Sequence, residues 1–181
     1  IIIYVSFISL GLPDAVLGSA WPVMHVSLGL PLWSAGVIAA TTSMGTVISA
    51  LLSTKVIARF GTGKVTLISV LMTAVALVGF SFSHTIAMLL IFALPLGLGA
   101  GSVDTALNNY VALHYKARHM SWLHSFWGVG ASLGPAIVAL TLSLGFSYKG
   151  GYRTIGALQF MLVIVLALSL SRWTDHAAKE T

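Results

Sequence analysis

Six apolar stretches, separated only by short turns, run through this sequence, and stretches of that length leave it one solvent, a lipid bilayer. A helix rises about 1.5 Å per residue, so roughly 20 apolar residues cross a hydrocarbon core. The stretches fall at residues 1–24, 33–57, 64–82, 85–113, 121–144 and 152–173. Only 7% of the 181 residues are charged while 57% are apolar, where a soluble domain carries roughly 25% charge. Four acids and nine bases cannot coat a water-facing surface of this size. Barrel strands would read as shorter alternating segments. The expected fold is therefore all-α, a polytopic membrane protein of six transmembrane helices.

The bases then orient the chain. Lys55, Arg59 and Lys64 lie between spans two and three, Lys116 and Arg118 between spans four and five, and Arg172 and Lys179 after span six. Only Lys149 and Arg153 lie on the other side. Basic loops stay cytoplasmic, so both ends are expected inside the cell. The net charge of +5 is explained this way, without a nucleic-acid partner. Ile1 to Leu10 lack the basic n-region of a signal peptide, and their apolar run continues. Starting without methionine inside a helix, the sequence implies that its true N-terminus lies further back.

Only two acids fall inside spans, Asp14 and Asp104. A charge at the bilayer centre costs about 2.5–3.5 kcal/mol on insertion scales, so such a residue faces a cavity or a partner. Gly97, Gly101, Asp104 and Asn108 share a helical face, as do Gly11, Asp14, Gly18 and Trp21. Asp14-Ala-Val-Leu-Gly18 also resembles Asp104-Thr-Ala-Leu-Asn108 ninety positions later. That fits two inverted three-helix repeats. Gly97 with Gly101, and Gly130 with Gly134, are pairs suited to close helix packing.

Span five begins Ser121-Trp-Leu-His-Ser-Phe-Trp-Gly128 and sets His124, Gly128, Ala131 and Pro135 on one face. His124 could relay protons or serve as a neutral hydrogen-bonding residue near the cytoplasmic end. Pro135 should bend its helix and free a carbonyl. The amides Asn108, Asn109 and Gln159 could bind solute hydroxyls, together with His124 and Trp127; Trp21 could stack on a ring or anchor at the interface. No Gly-x-Ser-x-Gly elbow, His-Glu-x-x-His motif or Walker loop occurs. The histidines form no convincing metal-ligand pair, and cysteine is absent. The expectation is a protein with no enzymatic activity, cofactor or metal.

The stretch Ala58-Arg-Phe-Gly-Thr-Gly-Lys64 resembles the cytoplasmic loop between the second and third helices of the major facilitator superfamily. Arg59, Gly61 and Lys64 fit that gating loop; its usual acid falls at Ala58 and its leading glycine at Thr54. The stretches 97–111 and 123–135 look like the fucose/proton symporter group and its glucose-transporting relatives. The resemblance covers residues 1–181 as the N-terminal half of a twelve-helix fold. It implies proton coupling at Asp104 and Asp14, the fucose type carrying glutamate at the first of these. It further implies proton-coupled symport of a sugar or similar small polar solute by alternating access in a bacterial inner membrane. The implied partners are the C-terminal six-helix half or a second copy, the solute, protons and the bilayer. Gly130-x-x-x-Gly134-Pro135 suggests an alternative, an exporter or drug/proton antiporter; a non-transporting membrane scaffold is a third reading.

Overall fold

The structure, a computed structural model, describes residues 2–173. Lys179 and the side chain of Arg172, counted above among the cytoplasmic charges, lie outside what is described. The helices are α1 (Ile2–Gly11), α2 (Val16–Leu28), α3 (Ser34–Phe60), α4 (Thr62–Phe82), α5 (Ile86–His114), α6 (Ala117–Ser143) and α7 (Tyr148–Ser169), followed by a 3₁₀ turn at Leu170–Arg172. No strand occurs among the described residues. Because α1 and α2 belong to one span, Ile2–Leu28, the helices make six candidate crossings.

Span one differs from expectation. It is not one helix: residues 12–15 leave helical geometry and divide α1 from α2. Pro13 is the physical reason, since it has no N–H to donate and its ring crowds the carbonyl four residues back. Helix ends also extend past the apolar stretches. Helix α6 starts at Ala117 rather than 121, and α2 reaches Leu28 rather than 24. Polar terminal turns sit at the headgroup level, where hydropathy no longer marks the helix. The α3–α4 turn is the single residue Gly61, whose φ of 81° favours a residue without a Cβ.

Lipid supplies no hydrophobic force between helices, so packing depends on close approach. Both glycine pairs provide it. A Cβ on Gly97 would lie 1.9 Å from the Thr42 carbonyl oxygen, and one on Gly101 2.4 Å from that of Thr46. These contacts make the α3–α5 crossing. At the α1–α6 crossing, a Cβ on Gly130 would meet the Ile8 carbonyl oxygen at 2.0 Å, and one on Gly134 that of Leu12 at 2.1 Å. Exchanging the first three spans for the last three maps one crossing onto the other, as inverted repeats require. Apolar side chains fill two layers. One contains Trp21, Met24, Phe80, Tyr148 and Tyr152, the other Phe7, Leu107, Leu123 and Leu166.

Helices α3 and α6 are the least enclosed, exposing Met44, Leu51, Leu133 and Leu140. One end of the bundle gathers the basic turns. There the Tyr4 hydroxyl meets His119 Nδ1 at 2.6 Å, and Trp173 packs against Gly63 and Tyr110. Arg153 lies at the opposite end, its Nε donating to Ser81 Oγ at 3.4 Å.

Overfilling the crossings should cost about 1–3 kcal/mol or more. Gly97→Val and Gly130→Val are expected to lower thermal stability in detergent, whereas Gly128→Ala, where a Cβ meets nothing within 4 Å, should not. Fluorescence-detected size exclusion after heating measures both.

Candidate functional site

The break in span one displays Asp14. Its carboxylate is exposed on the bundle, and Oδ2 accepts a hydrogen bond from the Trp127 indole Nε1 of α6 at 2.8 Å. The α1–α6 crossing makes this contact possible, because a Cβ on Gly11 would lie 2.2 Å from the Trp127 carbonyl oxygen. The indole is 39% exposed, so Asp14 and Trp127 form part of an open surface.

Asp104 lies on α5, ten residues before its end. The stripe that packs Gly97 and Gly101 on α3 continues past the crossing into exposed Asp104 and half-buried Asn108. Asn108 Nδ2 donates to Asp104 Oδ1 and to the Asp104 carbonyl oxygen, each at 2.9 Å. The expected polar face therefore divides, its glycines used in packing and its polar members left open. His124 is exposed on α6, edge-on to Phe7 at 6.2 Å. It lies within electrostatic range of Asp104, and the two carboxylates lie within range of each other. The structure thus brings together Asp14, Asp104, Asn108, His124 and Trp127.

Below Asp14 opens a cavity of about 220 Å³. Pro13, Asp14 and Leu17 line it from the break and α2, and Thr42, Ser43 and Thr46 from α3; the remaining wall includes Phe80, Leu96 and Tyr152. The threonine hydroxyl protons are taken up by backbone carbonyls. Thr42 Oγ1 donates to Ile38 O at 3.1 Å, and Thr46 Oγ1 to Thr42 O at 3.1 Å and Gly97 O at 3.2 Å. Their oxygens retain lone pairs, so with the Asp14 carboxylate this wall is rich in acceptors.

The other expected residues do not join this group. Gln159 is 1% exposed, and its amide is engaged by Ser9 and Thr73 between α1, α4 and α7. Trp21 is buried away from Asp14, stacked on His25, and its Nε1 donates to Leu32 O at 3.0 Å across the α2–α3 turn. The shared face expected for Gly11, Asp14, Gly18 and Trp21 is not formed, because the break interrupts the helical period. Asn109 is exposed on α5. In the α3–α4 turn, Arg59 lies over the Phe60 ring at 5.5 Å, Gly61 makes the reversal and Lys64 is exposed on the first turn of α4. Sequence reasoning did not anticipate Thr42, Ser43, Thr46 and Tyr152. The signal for Thr42 and Ser43 was the polar run Thr41-Thr-Ser43 within a membrane span. Among the described residues no cluster suited to a metal ion occurs.

Six spans in two inverted repeats, with acids on an open face above a small cavity, have the architecture of one half of a membrane transporter. A sequence profile described as Major Facilitator Superfamily matches residues 3–181. The chain belongs to that superfamily, whose members are membrane transporters and not enzymes. No curated protein matches the sequence.

Trp127→Phe keeps the ring but removes the indole donor to the Asp14 carboxylate. A net hydrogen bond of about 0.5–1.5 kcal/mol corresponds to a roughly two- to tenfold lower initial transport rate, with thermal stability little changed. Parallel uptake and melting measurements check this.

Proposed function

We propose that this chain is the N-terminal six-helix half of a secondary active transporter that moves a sugar or similar small polar solute together with protons. The observation that carries the reading is the placement of Asp14 and Asp104, the only acids within the spans, on one open face within electrostatic range of each other. Membrane acids held this way mark ion and proton pathways.

Asp104, partnered by Asn108 and within range of His124, is the principal proton carrier. It takes up a proton on one side and releases it on the other. Asp14 is the second carrier and borders the solute cavity. The wall of Asp14, Thr42 and Thr46 oxygens suits hydroxyl donors, and a volume of about 220 Å³ suits a small solute, below the roughly 300–1,000 Å³ of drug-sized sites. Asn108, Asn109 and Trp127 extend the polar surface toward a facing half.

The exposed apolar surfaces of α3 and α6 are covered by lipid and by that second half, a C-terminal six-helix bundle or another copy of this one. Rocking of the two halves around the site gives alternating access. Arg59, Gly61 and Lys64 serve the gate at the cytoplasmic turn. In this reading the protein sits in a bacterial inner membrane with both ends inside, an orientation supported by the basic turns gathered at one end.

Asp104→Asn should abolish proton-driven accumulation while preserving solute exchange. The measurement is solute-induced alkalinisation across a panel of sugars, followed by counterflow with the solute that responds. Accumulation that survives the substitution would refute the coupling role.

A further inference from the structure

Pro13 leaves the Ser9 carbonyl without its helical donor, since the N–H four residues ahead does not exist. The neighbouring amides do not replace it. Leu12 N–H donates to Ile8 O at 3.0 Å, and Asp14 N–H to Gly11 O at 3.2 Å. A carbonyl with no partner in a dry interior is strongly disfavoured. The missing donor comes from another helix: Gln159 Nε2 of α7 reaches Ser9 O at 2.7 Å. Its Oε1 accepts from Ser9 Oγ at 2.6 Å, while Thr73 Oγ1 of α4, whose proton goes to Val70 O at 2.8 Å, lies 3.4 Å away. Ser9 O can only accept, so the amide has one workable orientation. On the other flank, Gly130 and Gly134 of α6 seat the Ile8 and Leu12 carbonyls. The turn that displays Asp14 is thus gripped from two directions, and Trp127 then meets its carboxylate.

We propose that Gln159 is a positioning residue for Asp14: by donating to the Ser9 carbonyl that Pro13 leaves unpartnered, it holds the break in place and sets where the carboxylate is displayed. The importance of that placement for transport rests on the function proposed above, but the placement itself does not. Its test therefore reads the carboxylate directly.

Carbodiimide labelling of Asp14 and Asp104, quantified by mass spectrometry on the chain in membranes, compares the parent with Gln159→Met. The expected result is a roughly tenfold change in the Asp14 labelling rate, the size of effect that loss of one buried hydrogen bond produces. Asp104 should stay within about twofold as the internal control. An unchanged Asp14 rate in folded Gln159→Met overturns the proposal.

The double variant Pro13→Ala/Gln159→Met restores a helical donor to Ser9 O, so it should regain the thermal stability that Gln159→Met loses. Failure to regain it also overturns the proposal, and this arm decides the matter if the single variant does not fold. A positive labelling result in a protein that moves no solute would leave the positioning role intact and count against the proposed function.

Discussion

Close backbone contact at two glycine crossings is the constraint on which the remaining geometry depends. Without an aqueous phase between helices there is no hydrophobic force to draw them together, so association comes from dispersion and weak polar contacts. These decay over fractions of an ångström. Gly97 and Gly101 seat α5 on α3, and Gly130 and Gly134 seat α6 on α1. The first crossing turns Asp104 to the open face; the second brings the Trp127 indole to Asp14. Side-chain bulk at these positions would displace both carboxylates together.

The same dry interior explains how hydroxyl side chains behave. Thr42, Thr66 and Ser83 each donate to a carbonyl four residues back, and Thr73 to one three back. In water such bonds compete with solvent, but inside a bundle they are the nearest satisfaction on offer. A hydroxyl engaged this way presents acceptor oxygen to whatever lies beyond it. The polarity of the cavity wall is therefore set by backbone geometry as much as by residue type.

The spans were legible because a bilayer imposes a length, and the glycine pairs because close approach needs small residues at fixed spacing. The two acids stood out as candidates because a charge within a membrane span is costly. Asp14's surroundings were not. Counting 100° per residue through Gly11, Asp14, Gly18 and Trp21 assumes an unbroken helix, and Pro13 ends that assumption, so Trp21 turns into the core while Asp14 faces out. The surroundings of Gln159 were hidden for a different reason. An amide within a span can serve a solute or an orphaned carbonyl, and only the position of Ser9, 150 residues away, separates the two. The weak repeat between Asp14-Ala-Val-Leu-Gly18 and Asp104-Thr-Ala-Leu-Asn108 marks equivalent spans with unlike local structure, a break in one and continuous helix in the other.

The connections between helices grade from one end of the bundle to the other. At the basic end α3 and α4 are joined by one residue and α5 and α6 by two, whereas the opposite end has connectors of five, three and four residues. A residue spans at most about 3.6 Å, so helices joined through the short links cannot slide far past one another. They can still splay at the far end, where the connectors carry slack. The basic end is therefore the pivot of a fan, and within a half any change of shape is widest at the end away from Gly61.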